Sequence, residues 1–195
     1  MKNRIVVLTL IILLSSFLSS CTQKEYTVEQ VGEVVATMDE GKITTGDIKD
    51  FKKYRLDDIS NQQALEMIIE NELLYREAKS KKILITIDEA KTEAEKLRVS
   101  FEENSSEEDK KILQDEINKL GITLDKYWNE YCPKLLMKSM SIGKMRNSIK
   151  TDFYNYVDSN HPTWGKAEIE EDYNKNYELI IEDLKKKYNV KYENI

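Results

Sequence analysis

Apolar residues recur at steps of three and four along most of the chain after residue 45, a pattern that predicts a succession of amphipathic helices. Four such stripes precede residue 121. They comprise Ile48, Phe51 and Tyr54; Leu65, Ile68, Ile69, Leu73 and Ala78; Ala90, Ala94, Leu97 and Phe101; and Ile112, Leu113, Ile117 and Leu120. Glycine and proline number only six and two, so tight turns are few and a mainly helical fold is expected.

Two longer helical patterns fill the second half of the chain. The first covers residues 122–157, and Pro133 within it is expected to kink the helix or to start a new one. The second follows the loop "DSNHPTWG" and precedes the end of the chain. Its apolar stripe consists of Ile169, Tyr173, Tyr177, Ile180, Leu184 and Tyr188.

Short polar residues mark the expected helix ends. Asn61 is a plausible N-cap of the second helix, and either Thr86 or Asp88 of the third. Ser106, with Asp109 three residues later, has the spacing of a capping box, and Gly121 is expected to end that helix.

The two ends of the helical region have strand-like patterns. Val34, Val35 and Met38 precede the turn-like "DEGK" and a second extended piece, and Val190 and Tyr192 alternate near the C-terminus. Such short strands are unstable alone. The predicted fold is therefore mainly α, a multi-helix domain closed by a small pair of short terminal β-strands.

The N-terminus combines a basic start, an aliphatic run and the small-residue exit "LSSC" that ends at Cys21. These are features of a secretory signal, and "LSSC" resembles the lipobox of bacterial lipoproteins. The resemblance implies lipid attachment to Cys21 and removal of residues 1–20. Residues 21–33 are then expected to form a tether and residues 34–195 the helical domain. We expect an extracytoplasmic protein anchored by lipid to the cell membrane, with an uncleaved N-terminal anchor as the alternative.

Composition and motifs argue against several function classes. The net charge of −6 is unfavourable for nucleic-acid binding. No phosphate loop, Cys-x-x-Cys or His-Glu-x-x-His occurs. Cys132 is expected to be a buried, inert thiol, and His161, the only histidine, to lie in a loop. We expect no catalytic site, cofactor or metal, although an enzyme with an unrecognised site stays open.

Two groups of residues are candidates for an adaptable apolar binding surface. Methionine adapts to varied apolar partners, and Met137, Met140 and Met145 follow Trp128 in one helical pattern. Tyr173 and Tyr177 offer apolar rings with polar tips, which suits a half-exposed groove. Ordinary core filling is the alternative for both groups.

The segments "VVATMDEGKITTGDIKDF" and "ALEMIIENELLYREAKSKKILITIDEAKTEAEKL" resemble the N-terminal chaperone region of SurA-like and PrsA-like extracytoplasmic folding factors. "LGITLDKYW" and "DLKKKYNVKY" are similar to later parts of the same region, the latter to its closing helix and strand. Lys82 stands where that family often has glycine. The resemblance spans roughly residues 34–192.

The chain departs from those folding factors in one respect. They usually carry a parvulin prolyl-isomerase domain, and no stretch here resembles one. The resemblance therefore implies a chaperone for unfolded or exported polypeptides without its own isomerase, and a homodimer is compatible with it. The alternative is a lipoprotein interaction module that serves one specific envelope or secretion complex.

Overall fold

A computed structural model describes residues 32–53, 55 and 57–193 of the chain. The predicted signal sequence, Cys21 and Tyr54 lie outside these residues. The described part is mainly helical, which confirms the predicted helical class. Its six helices are α1 (Thr45–Lys53), α2 (Asn61–Ser80), α3 (Ile87–Asn104), α4 (Glu107–Lys119), α5 (Cys132–Asn160) and α6 (Lys166–Lys187).

Three short strands form one antiparallel sheet: β1 (Val34–Met38), β2 (Gly41–Thr44) and β3 (Lys191–Tyr192). The order is β2-β1-β3, so the first strand lies in the centre and the last strand at an edge. Thr37 pairs with Lys42 on one side and with Lys191 on the other. The predicted pairing of terminal strands therefore occurs as β1 with β3, and the second extended piece adds a third strand.

The helix starts follow the capping chemistry of the sequence, with one correction. Thr86 and Ser106 are N-caps in capping boxes with Glu89 and Asp109. The N-cap of α2 is Ser60 rather than Asn61. The Ser60 hydroxyl accepts a hydrogen bond from the Gln63 amide while the Gln63 side chain accepts one from the Ser60 amide.

Gly121 follows the end of α4 with a positive φ of 67°. Glycine adopts this left-handed conformation readily because it has no Cβ. Gly121 therefore ends the helix as the sequence predicts.

Most of the apolar side chains meet in one core, here called the main core. It is formed by the sheet, α1, α2, the middle of α5 and the last turns of α6. Its members from the two long central helices include Leu65, Ile69 and Leu73 of α2 and Ile142, Met145 and Ile149 of α5.

A second core, here called the side core, lies between α3, α4 and the start of α5. It contains Phe101, Leu113, Ile117, Tyr127, Trp128 and Cys132. Because α5 is 29 residues long, its first turns reach the side core while its middle belongs to the main core. This helix therefore joins the two halves of the molecule.

The segment before α5 is helical but irregular. Residues Leu124–Lys126 form one helical turn and Tyr127–Tyr131 form a π-helical turn. Pro133 then stands near the start of α5, directly after the π-helical turn. The backbone is helical through Tyr131 and Cys132, so Pro133 lies at an irregularity within a continuous helical stretch and the expected start of a separate helix is not found there.

Candidate functional site

The structure separates the residues proposed as client-binding candidates. Trp128 and Met145 are only 4% and 1% exposed and belong to the side core and the main core. Their placement corrects the expectation that they line an open face, since neither ring nor thioether reaches the surface. Met137 and Met140 are half-buried against the side core.

Tyr173 and Tyr177 lie on the inner side of α6 in a row of aromatic rings that continues onto α5. The Tyr173 ring is 5.9 Å from that of Tyr177 and 5.4 Å from that of Phe153, with Tyr154 beside it at 6.4 Å. Edge-to-face packing of Phe153 and Tyr173 is a favourable arrangement of aromatic quadrupoles. The row joins α5 to α6 by ring contacts.

A second group of rings lies at the turn between α5 and α6. Its member Tyr156 does not share a face of α5 with Tyr154 of the first group, because residues two apart on a helix point to different sides. His161 stacks on Trp164 with ring centroids 3.9 Å apart and planes tilted by 18°. The Tyr156 hydroxyl lies 3.4 Å from Nε2 of His161. Tyr156 is 52% exposed, so this end of the row presents an apolar ring to solvent.

We call these rings together the aromatic seam. It consists of Phe153, Tyr154, Tyr156, His161, Trp164, Tyr173 and Tyr177. Phe153 is buried, Tyr154 and Tyr156 are exposed, and the other members are half-buried. The seam therefore grades from buried near the middle of α6 to open at the α5–α6 turn.

The inner end of the seam is fixed by a charged pair. The Tyr177 hydroxyl donates to Oε1 of Glu70 at 2.7 Å, and the Arg146 guanidinium donates to the same oxygen at 2.9 Å. Burial, together with donation to Glu70, raises the pKa of Tyr177 to about 12. The phenol therefore stays protonated and keeps donating at physiological pH.

The Glu70 arrangement recurs along α2. Three glutamates of this helix each accept one hydrogen bond from a cation and one from a tyrosine hydroxyl. These sets are Glu66 with Lys185 and Tyr192, Glu70 with Arg146 and Tyr177, and Glu77 with Lys187 and Tyr188. Five of the six donors lie on α6 or just after it, so the three glutamates hold the C-terminal segment against α2.

The methionines and the seam do not form one surface. Met140 and Phe153 are thirteen positions apart on α5, which corresponds to about 20 Å along the helix. Met137 and Met140 contact the side core, whereas the seam lies against α6. Met137 and Met140 therefore do not contribute to the surface formed by the seam.

A shallow groove also runs along the surface of α3. Its lining is largely charged or polar, with Val99 as the large apolar side chain: Lys91, Thr92, Glu95, Lys96, Val99, Ser100, Glu103 and Asn104. This lining differs from the Met-, Tyr- and Ile-rich cleft that adaptable binding of many polypeptides favours.

The cysteine lies in an environment that suppresses its reactivity. Burial beside Tyr127 raises the pKa of the Cys132 thiol to about 12. A thiol is unreactive until it is ionised, so Cys132 is the buried, inert thiol that the sequence predicts. Among residues 32–53, 55 and 57–193, no cluster of His, Cys, Asp and Glu could hold a metal ion. The absence of catalysis stays a prediction.

Sequence reasoning did not single out Tyr154, Tyr156 or Trp164. Tyr156 belongs to the apolar stripe that the sequence predicts for this helix, Tyr154 lies off that stripe, and Trp164 lies in a loop. The available signal was the local density of aromatic residues over 153–164.

None of the helices in the described ranges is long and apolar enough to span a bilayer.

Comparison with known proteins gives no relative. No protein-family model, no curated protein and no solved structure matches the chain.

Proposed function

We propose that this protein is a membrane-anchored extracytoplasmic chaperone that binds unfolded or exported polypeptides and has no isomerase domain of its own. Cys21 would carry the lipid that anchors it. The resemblance of residues 34–192 to the chaperone region of SurA-like and PrsA-like folding factors supports this proposal. We expect the purified protein to have no prolyl isomerase activity, and robust turnover of a proline peptide would contradict this.

The observation that carries the proposal is the closure of the helical domain by β1 and β3. The N-terminal hairpin, the ordered helices and the final strand occur in the sequence order that the resemblance implies, and Ala36 pairs with Tyr192 across the whole length of the domain. Such a sheet brings the first and last strands of the described domain together. It supports a single domain of that type.

The aromatic seam is the surface best suited to a polypeptide client. Tyr154 and Tyr156 expose apolar rings with hydroxyl tips, and the His161–Trp164 stack extends them. Aromatic rings contribute much contact area and need little precise hydrogen bonding. A client could therefore bind there through varied apolar side chains.

The experiment compares client holding by the wild type and by a Tyr154→Ala/Tyr156→Ala variant. Light scattering of reduced insulin measures suppression of aggregation by the detergent-solubilised lipoprotein. We expect the variant to suppress it several-fold less well at an unchanged melting temperature. Leu179→Ala, which removes an apolar side chain that is 66% exposed on α6, is the matched control. Equal suppression by all three proteins would refute the role of the seam.

The second candidate is a lipoprotein module that serves one envelope or secretion complex. The charged groove of α3 favours it, because ion pairs specify one partner better than many. Replacing Tyr156, and in a second variant Val99, with a photocrosslinking amino acid distinguishes the two proposed functions in cells by the proteins that are captured. Many products from Tyr156 support the chaperone, whereas one product from Val99 supports the dedicated module.

A further inference from the structure

The C-terminal segment formed by α6 and β3, residues 166–192, covers the main core along α2 and α5. We infer that the apolar trough beneath this segment is a docking surface for an apolar segment of a client, and that α6 with β3 is its displaceable cover. We call this segment the clasp. The inference rests on the proposed chaperone function and extends its binding surface beyond the aromatic seam.

The apolar attachment of the clasp is confined to one end. Ile181 and Leu184 are the only buried residues among the 22 of α6 in the described structure. Tyr177 and Ile180 are half-buried against the main core. The first three turns of α6 therefore bury little apolar area, and the apolar contact of the clasp with the main core is made by its last turns.

Polar contacts supply much of the remaining attachment. Glu66, Glu70 and Glu77 of α2 hold tyrosines and lysines of the clasp by hydrogen bonds of 2.5–3.1 Å. Glu66 and Glu70 keep 37% and 29% of their side chains exposed, whereas Glu77 keeps 10%. Water can replace the contacts of Glu66 and Glu70 at small cost, so Glu77 makes the most strongly held polar contact of the clasp.

The sheet adds little further resistance to opening. β3 has two residues, Lys191 and Tyr192, and both are exposed. A short edge strand of this kind separates more readily than a central one. At the opposite end of the clasp, residues 161–165 connect α5 to α6 and contain Pro162, which places the hinge at that turn.

The clasp itself indicates what the trough accepts. Tyr177, Ile180, Ile181 and Leu184 fill it at steps of one, three and four, as one face of an amphipathic helix. The occupant that fits is therefore an unfolded or exported segment with apolar residues at three- to four-residue spacing. Met145, beneath the clasp in the main core, is a flexible side chain able to fit varied apolar groups.

A disulfide staple tests the inference. Thr37 and Lys191 are directly opposite on β1 and β3, and Cα atoms at such positions are about 4.5–5.5 Å apart, within disulfide range. Thr37→Cys with Lys191→Cys closes the clasp when oxidised. Thr37→Cys with Lys42→Cys staples β1 to β2 instead, leaves the clasp free, and is the matched control.

The client for this test is a chemically denatured protein diluted into buffer without reductant, so that the staple stays oxidised. We expect the oxidised clasp staple to lower suppression of its aggregation at least fivefold, and reduction of the staple before the assay, followed by alkylation and removal of the reductant, to restore it. The control staple should act like the wild type in both states. Hydrogen exchange gives an independent readout. Amides of α6 should exchange at least tenfold faster than those of α2, and oxidation of the clasp staple should slow them.

The outcomes distinguish the two proposals. If the oxidised clasp staple suppresses aggregation as well as the wild type, the trough is not the docking surface, and the chaperone function stands. Exchange of α6 as slow as that of α2 also overturns the inference. If the wild type suppresses no aggregation at all, the chaperone function fails and the inference fails with it.

Discussion

The carboxylate of Glu72 on α2 lies 2.8 Å from the ammonium of Lys138 on α5, and the two side chains are 9% and 11% exposed. Arg76 donates to the other oxygen of Glu72 at 2.9 Å, and the Lys138 ammonium lies 5.4 Å from the Tyr75 ring centre. This ion pair joins the two helices that form the main core. Burial of charge is tolerated there because the partners meet at hydrogen-bond distance.

Replacing the Glu72 carboxylate should lower the free energy of unfolding more than replacing the Lys138 ammonium does. Glu72→Leu leaves Lys138 without the carboxylate it contacts and should destabilise by roughly 3–5 kcal/mol. Lys138→Met should lower the free energy of unfolding less, because the Glu72 carboxylate retains its ion pair with Arg76. The double variant should recover part of the loss, and urea unfolding of all four proteins measures it. Additive losses in the double variant would show that the pair is not coupled.

Methionine truncation should distinguish core from surface. Met145→Ala should lower the free energy of unfolding by roughly 2–5 kcal/mol because Met145 is fully buried. Met137→Ala should cost less, since Met137 is half-buried. Thermal unfolding of both variants, with Leu179→Ala as an exposed control, provides the measurement. A Met145→Ala melting temperature equal to that of the control would contradict the burial.

Adjacent serines before α4 offer a matched test of helix capping. The Ser106 hydroxyl accepts from the Asp109 amide at 3.2 Å and donates to its carboxylate at 2.7 Å. Ser106→Ala should therefore cost about 1 kcal/mol. Within the described structure the Ser105 hydroxyl makes no hydrogen bond, so Ser105→Ala should change stability little. Equal losses by chemical denaturation would exclude the capping role.

Glu77 should make the clasp sensitive to acid. Burial opposes ionisation, but hydrogen bonds from Lys187 and Tyr188 outweigh it and hold the pKa of Glu77 below its ordinary value. Because the folded pKa is the lower one, the stabilisation is complete above the unfolded pKa and disappears as pH falls through the folded pKa.

The measurement compares the wild type with Glu77→Gln by thermal melts between pH 7 and pH 3. At neutral pH the wild type should be more stable by about 1 kcal/mol. The difference should shrink as the solution becomes more acidic. A difference that stays constant over this range would show that Glu77 ionisation makes no contribution.

Cys21 should be the lipidated N-terminus of the mature protein. Cys21→Ala removes the acceptor sulfur, so the chain should remain unprocessed or be released from the membrane. Membrane fractionation and metabolic labelling with an alkyne fatty acid detect both changes. Cys132→Ala, which removes the other cysteine, should label like the wild type. Normal processing and labelling of the Cys21→Ala protein would exclude the lipoprotein assignment.

Local chemistry made much of the fold predictable from the sequence. The helix caps at Thr86 and Ser106 and the stop at Gly121 depend on residues within a few positions of each other. The start of α2 was predicted one residue late because Asn61 is itself a favourable N-cap residue. Gln63 has the spacing to form a capping box with Ser60, and this places the N-cap at Ser60. Such errors are confined to the helix ends.

The candidate site was less predictable because it depends on contacts between distant residues. Arg146 and Glu70 are 76 positions apart, and no periodicity indicates their pairing. Trp128 and Met145 lie in an apolar helical pattern, and such a pattern is the same for a core residue as for a groove residue. Whether such a residue faces solvent or core depends on which helix packs over it, and this is a property of the tertiary structure.

The central place of β1 in the sheet affects how the chain reaches its native state. β1 pairs with β2 through a short turn, but its other partner, β3, lies more than 150 positions away, at Lys191 and Tyr192. Contacts of such long sequence separation form late because the intervening chain must first close into a loop. In an exported chain of the kind proposed above, β1 could pair with β3 only after Lys191 and Tyr192 had crossed the membrane. Until then the half-finished protein resembles the unfolded clients that it is proposed to hold.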